Sequence, residues 1–140
     1  MVKSKRYSFI LWANGFEEMM AAVFIAELRQ ANRRVKLVGL TRKPSRGAYG
    51  LIFTPDISLD EALPLAANAV LVIIPSRSAS FAPLQTDPRL SPFFHAAHKA
   101  YFITGPLTKA DRALFPPNCE WIEIEPSDEA LLKVVRKIVI

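Results

Sequence analysis

The sequence has few of the residues that build disulfide frameworks, metal centres and phosphate-binding loops. Cys119 is the only cysteine among 140 residues, which excludes an internal disulfide and fits a reducing compartment. The five glycines form neither a G-x-G-x-x-G nor a G-x-x-x-x-G-K motif, so we expect no nucleotide and no cofactor. His95 and His98 have no third ligand at a suitable spacing, so we expect no metal and place both on an exposed helix surface.

Long apolar runs are also missing. The longest one, residues 66–75, is interrupted by Asn68, and no run reaches the ~20 residues that a membrane-spanning helix needs. The basic residues 1–6 precede an apolar run, 7–12, that is too short for a signal peptide. With 51% hydrophobic and 22% charged residues, the composition predicts one globular domain over residues 1–140. We expect a cytoplasmic protein.

Acidic residues are scarce in the first part of the chain. Residues 1–50 carry ten Lys or Arg and three Glu, a net charge of +7, whereas the remaining 90 residues have a net charge of −2. Such asymmetry can attract an acidic protein partner, nucleic acid or an anionic membrane. No aromatic-interleaved motif accompanies the charge, so we favour solvated side chains and disfavour nucleic acid. The basic residues are Lys3, Lys5, Arg6, Arg29, Arg33, Arg34, Lys36, Arg42, Lys43 and Arg46.

Short apolar runs alternate with helical patterns along the chain. Such alternation predicts a parallel sheet with helices on both sides, a flavodoxin-like three-layer α/β/α sandwich. Ligands of these folds bind beyond the carboxyl ends of the strands, which places a candidate pocket at residues 14–15, 75–77 and 104–105. Strands are predicted at 7–13, 35–40, 51–54, 69–74, 100–104 and 119–124. Helices are predicted at 17–31, 58–63, 87–99 and 107–114 and after a Ser127 cap, with loops at 41–50 and 76–86.

The segment Ala100–Pro106 reads as a buried strand that runs into a Gly-Pro turn at the start of a helix. A sharp strand–turn–helix junction can hold a nucleophile above a parallel sheet, next to the free N–H groups of the helix start. We expect Ile103 at the point of this turn. Its side chain cannot act as a nucleophile.

In order and spacing, several segments resemble the ThiJ/PfpI superfamily, the group of the Parkinson-associated deglycase and the intracellular proteases. The resemblance covers about the first 110 residues and implies a class I glutamine amidotransferase-like fold. The matching segments are Gly15-Phe16-Glu17-Glu18, Val38-Gly39-Leu40, Pro55-Asp56-Ile57-Ser58-Leu59, the strand from Val70 to Pro75, and Gly105-Pro106.

The resemblance also implies that a reactive site has been lost. Family members usually have a Cys at the turn, where this chain has Ile103, and a Glu in the first helix, where it has Met20. Their Gly-Gly after the central strand is replaced here by Ser76-Arg77. The segment between the turn and the last helix is too short for the family's further strands and His. The implied vestigial pocket comprises Gly15, Glu17, Met20, Ser76, Arg77, Ile103, Thr104 and Gly105, with no catalytic residue.

Three further residues are candidates for a role near this pocket. Thr104 has neither Asp nor His near it in sequence, so we interpret its hydroxyl as part of the turn. Cys119 at the start of the last strand fits a small, half-buried apolar role. Arg77 either points its guanidinium at the helix start behind Pro106 or fills the empty pocket, and we favour the second.

These observations predict a non-catalytic domain that acts through protein contacts, as a regulatory or structural subunit or as a homodimer. The apolar chain end at residues 137–140 adds surface that a partner would cover. One alternative is a hydrolase or glyoxalase-like enzyme with a rearranged site, in which Cys119 folds over the turn. Another is a basic module that binds nucleic acid or an anionic membrane.

Overall fold

The described part of the chain is built on a central sheet of six parallel strands. A computed structural model describes residues 5–139, so residues 1–4 of the basic start and Ile140 of the apolar end lie outside it. The strands are β1 (Tyr7–Leu11), β2 (Val35–Gly39), β3 (Ser45–Arg46), β4 (Ile52–Phe53), β5 (Ile57–Ser58), β6 (Ala69–Ile74), β7 (Tyr101–Thr104) and β8 (Trp121–Glu123). The sheet order is β5-β2-β1-β6-β7-β8, whereas β3 and β4 form a separate antiparallel hairpin.

Within residues 5–139, six α-helices and one 3-10 helix cover the sheet. The helices are α1 (Glu18–Gln30), α2 (Leu59–Ala62), α3 (Ser78–Gln85), α4 (Leu90–Ala96), α5 (Lys109–Arg112) and α6 (Leu131–Val139), with the 3-10 helix at Leu63–Asn68. Helices α1 and α6 pack on one face of the sheet, and α2, the 3-10 helix, α3 and α4 pack on the other. The predicted flavodoxin-like sandwich is confirmed. No helix within residues 5–139 is long and apolar enough to cross a membrane.

Side-chain alternation along the central strands supplies both layers of the core. In β1, Phe9 and Leu11 face α3 and α4, whereas Ile10 faces α1 and α6. All five residues of β1 are buried, as expected for a strand that is covered on both faces. The capping box predicted at Ser58 is present and begins α2.

Two local predictions are wrong, those at residues 76–86 and at Ser127, and three others differ in pairing or length. Residues 76–86 contain α3 in place of a loop, because Phe81 and Leu84 bury one helical face despite Pro83. The predicted strand at 51–54 pairs with the loop before it as β4 and does not join the main sheet. Ser127 does not cap α6, which begins at Leu131.

The helices predicted at 87–99 and 107–114 are present as α4 and α5, and both are shorter than predicted. Asp87 accepts a hydrogen bond from the backbone N–H of Arg89, which makes a turn before α4 begins at Leu90. His98 consequently lies just beyond the end of α4. In the other helix, Thr108 is the N-cap of α5, so the chain is not helical directly after Gly105-Pro106.

Candidate functional site

The carboxyl ends of β1, β6 and β7 meet at the middle of the sheet and are joined there by backbone hydrogen bonds. The N–H of Glu17 donates to the carbonyl of Pro75 at 2.7 Å, which ties the start of α1 to the end of β6. The N–H of Gly105 donates to the carbonyl of Ile74 at 3.3 Å and ties β7 to the same strand end. This edge is the topological switch point at which the sequence predicts a pocket.

Apolar side chains fill the interior below this edge. Met20 and Ile103, which stand where the resemblance implies a Glu and a Cys, both have 0% exposure and belong to the same apolar cluster. Ile103 lies inside β7, opposite Ile73 on one side and Ile122 on the other. It is therefore not at the point of a sharp turn, and that expectation is wrong.

The turn after β7 is built on a close backbone approach. A Cβ added to Gly105 would lie 2.5 Å from the backbone oxygen of Ser76, so only glycine fits there without a shift. Gly15 has a φ of +90°, a conformation that glycine adopts readily. At Gly105 the end of β7 therefore packs directly on the backbone that follows β6, and Gly15 packs on Ser80 of α3.

Arg77 lies across the rim of the site. Its Nε donates to Glu17 Oε1 at 2.8 Å, and its terminal nitrogens bond to the Glu125 carboxylate beyond β8. These contacts lower the pKa of Glu125 and raise that of Arg77, mainly through the hydrogen bond between the two side chains. The Arg77 side chain is 42% exposed, so it covers the site from outside while Met20 and Ile103 fill it from within.

Three buried polar atoms at this edge have no hydrogen-bond partner among the described residues: Trp12 Nε1, Ser76 Oγ and Thr104 Oγ1. Each follows or ends one of the three central strands. A buried hydroxyl without a partner costs about 1–3 kcal/mol. Because no Asp, Glu or His among residues 5–139 bonds to Thr104 Oγ1, this part of the chain supplies no base that would activate the hydroxyl.

Cys119 lies at the other edge of the sheet. It lines a surface cleft together with Ala100 and Tyr101, which stand at the amino-terminal end of β7. Thr104 is at the opposite end of that strand. Burial raises the pKa of the Cys119 thiol, which makes it less reactive at neutral pH. His95 and His98 are exposed, and no cluster of three metal-ligating side chains occurs within residues 5–139.

The β3–β4 hairpin is a second site that the sequence analysis missed. Glu18 is 3% exposed, and its carboxylate accepts hydrogen bonds from the backbone N–H groups of Tyr49 and Leu51 at 2.9–3.1 Å. A Cβ added to Gly47 would lie 2.3 Å from the Glu18 carboxyl carbon, so this glycine makes room for the carboxylate. The only signal in the sequence was the pair Gly47 and Gly50, which is typical of a tight turn.

The hairpin also joins the aromatic cluster next to the site. The ring of Phe53 lies 5.8 Å from that of Trp12 and 5.1 Å from that of Phe16. Tyr49, Leu51 and Ile52, in contrast, are exposed. The hairpin is thus firmly attached to the domain and presents apolar side chains to solvent.

The fold is shared with solved structures, although no protein-family model and no curated protein matches the sequence. DJ-1beta of Drosophila melanogaster is similar with a TM-score of 0.75 at 13% identity, over 96% of this chain and 89% of that chain. DJ-1 of Toxoplasma gondii has a TM-score of 0.69 at 14% identity, over 96% and 89%.

A ThiJ/PfpI domain protein from Brachyspira murdochii is similar over 99% of this chain and 96% of that chain, with a TM-score of 0.68 at 13% identity. The chain therefore has the fold of the DJ-1/ThiJ/PfpI proteins, as the resemblance in sequence implied. At these identities the likeness shows the fold alone.

Proposed function

We propose that this protein is a non-catalytic, cytoplasmic domain of the DJ-1/ThiJ/PfpI fold that acts through contacts with another protein or with a second copy of itself. The observation that carries the proposal is the filled site: Met20 and Ile103 stand without exposed surface where the fold would hold a reactive group. In this proposal, the pocket residues named from the sequence have a structural role and hold the ends of β1, β6 and β7 together. The shorter segment between β7 and α6 fits the same interpretation.

A rearranged enzyme would need a nucleophile and a base within hydrogen-bond reach of each other at the carboxyl edge. Thr104 Oγ1 is buried without a partner, and Cys119 lies at the opposite end of β7. Of the charged groups at this edge, Glu17 bonds to Arg77, and Asp111 accepts hydrogen bonds from Ser78 Oγ and from the Thr108 N–H at the start of α5. These contacts favour a structural role for the edge.

A polyanion-binding surface would need the basic side chains on one face. The structure divides them instead: Arg33 and Arg34 precede β2, whereas Arg42 and Lys43 follow it, at opposite edges of the sheet. Arg42 is also paired with Glu61. The positive charge is therefore spread over the domain, which supports a role in solubility and partner choice rather than in nucleic-acid binding.

Two measurements on the purified wild-type chain and on the native extract test this proposal. We expect no turnover of methylglyoxal or of peptide esters, and a native mass above that of the monomer. Cys119→Ser is the matched control, because it removes the only thiol of the chain. Turnover that this variant abolishes would favour the rearranged enzyme, and a monomeric mass in both samples would contradict action through contacts.

A further inference from the structure

One edge of the β3–β4 hairpin has unpaired backbone groups. Ile52 stands opposite Arg46 in the antiparallel pair. The N–H and carbonyl of Arg46 bond away from β4, to Asn14 Oδ1 and to the N–H of Gly15. In an antiparallel ladder, this makes Arg46 and Ile52 a non-hydrogen-bonded pair, so the backbone groups of Ile52 also point outward. No residue in the described part of the chain bonds to them.

The same edge is rigid and ready for pairing. The outer side of β3 is covered by Asn14 and Gly15, and the turn is held by Glu18. The N–H of Ala48 donates to the carbonyl of Phe16 at 2.8 Å and fixes the turn at another point. A segment that pairs with β4 would therefore meet a preorganised edge, and little ordering entropy would be lost on the side of the hairpin.

Apart from its short length and the Pro55 that follows it, β4 lacks the features that usually protect exposed strands from pairing. Proteins block such edges with charged side chains, prolines or bulges. Leu51 and Ile52 are uncharged and are 57% and 61% exposed, and Tyr49 at the turn is 85% exposed. Met19 of α1, next in sequence to the Glu18 that bonds to the turn, is 64% exposed. Together these residues form a strand edge with an apolar border.

The charge around the hairpin indicates the chemistry of its partner. From residue 28 to residue 55 the chain has no Asp or Glu, and the one acidic side chain at the turn, Glu18, is buried and bonded to the backbone. Arg46 is exposed on the hairpin, and Lys43 is exposed just before it. A second copy would bring the same positive charges to the interface, whereas an acidic segment would be attracted to them.

We propose that the free edge of β4 binds an extended, acidic segment of another protein, which adds a strand to the hairpin. Backbone hydrogen bonds to Ile52 supply affinity, and the apolar border and the basic side chains select the sequence. Pro55 has no N–H group, so the edge ends after Thr54 and is short. The inference rests on the proposed function, since it names the partner class of a domain that acts through contacts.

Binding of synthetic peptides to the full chain tests the inference. The probe is a fluorescein-labelled peptide of alternating Glu and Val, and its counterpart has Lys at each Glu position. The decisive variant is Ile52→Pro, which removes the outward N–H and leaves the hydrogen bonds between β3 and β4 intact. Ile52→Val is the matched control, because it keeps the N–H and a β-branched side chain. Circular dichroism and the melting temperature establish that both variants fold.

We expect saturable binding of the acidic peptide by the wild-type chain and by Ile52→Val. The Ile52→Pro variant should bind the acidic peptide about tenfold more weakly, because the lost hydrogen bond leaves a peptide carbonyl without its partner. The Lys peptide should bind more weakly than the acidic one. Equal affinity of Ile52→Pro and Ile52→Val would overturn the pairing mode, and equal affinity of the two peptides would overturn the acidic class.

Two further outcomes separate this inference from the proposed function. If the wild-type chain forms a dimer that Ile52→Pro converts to a monomer, a second copy of the chain pairs with β4. The proposal of an acidic partner segment would then be wrong, but the proposal that the protein acts through contacts would be supported. If no peptide binds but the native mass exceeds that of the monomer, the edge is not the docking site. Measured turnover would contradict the proposed function. The peptide-binding experiment would still decide whether the β4 edge pairs with an acidic segment.

Discussion

The carboxyl edge of the sheet and the β3–β4 hairpin lie side by side but are built in opposite ways. At the edge, apolar side chains such as Ile103 are fully buried, and two hydroxyls are buried without partners. In the hairpin, Leu51 and Ile52 are exposed, while the backbone of the turn is anchored by Glu18. A site for chemistry needs accessible polar groups, and a site for contacts needs accessible apolar ones. The hairpin has such apolar groups, whereas at the edge the unpartnered hydroxyls are buried and the exposed Arg77 is paired with carboxylates.

The largest expected effect comes from Ile103→Ala. Truncating a fully buried Ile leaves a cavity, so the free energy of unfolding should fall by about 2–5 kcal/mol. Ile52→Ala is the matched control in the hairpin and should change it by less than about 0.5 kcal/mol, as exposed side chains do. Urea unfolding measures both. Equal changes in the free energy of unfolding at the two positions would contradict the difference in burial between the edge and the hairpin.

The next effect is expected from Glu18→Ala, which removes the acceptor of the Tyr49 and Leu51 N–H groups. Hydrogen bonds to a charged group contribute about 1.5–3 kcal/mol each, so we expect a loss of at least about 2 kcal/mol and faster amide exchange at both residues. Glu17→Ala is the neighbouring control, since Glu17 bonds to the partly exposed Arg77. If exchange at Leu51 stays slow in Glu18→Ala, the hairpin is held by its aromatic contacts alone.

Comparison with the sequence shows which features are local and which are not. The sequence predicts β1, β6 and the capping box at Ser58, because each of these features depends on residues that are close together in the chain. That Ile103 stands where the family usually has a Cys is implied by the resemblance alone. The bond from Glu18 to Leu51 was not, because it joins residues 33 positions apart through a turn whose geometry no local pattern specifies. Helix α3 was not predicted, because Pro83 and several small residues interrupt the apolar periodicity that would indicate a helix.

A smaller effect is expected from Arg77→Met. The ion pairs with Glu17 and Glu125 are partly exposed, and such pairs contribute about 0–1 kcal/mol. We expect a small decrease in the melting temperature and no gain of esterase activity, because Met20 and Ile103 still fill the interior. A gain of esterase activity in this variant would mean that Arg77 alone blocks a functional site, and it would contradict the claim that the interior of the edge is filled.

The smallest effect is expected from Thr104→Val, which replaces an unpartnered buried hydroxyl with a methyl group of the same shape. Removing a polar group that bonds to nothing should leave the stability unchanged or raise it by up to about 1 kcal/mol. Thr108→Val is the matched control, because the Thr108 hydroxyl caps α5, and its loss should cost about 1 kcal/mol. A clear loss of stability in Thr104→Val would show that this hydroxyl has a partner.

The central claim is that the carboxyl edge is closed while the hairpin is open. The most direct measurement compares the alkylation rates of a thiol introduced by Ile103→Cys and one introduced by Ile52→Cys, each in a Cys119→Ser background. We predict that the thiol at position 52 reacts like a free thiol. The thiol at position 103 should react about a thousandfold more slowly, because the reagent must wait for an opening of the core. Similar rates, or a faster reaction at position 103, would contradict the account and show an accessible, activated site at the edge.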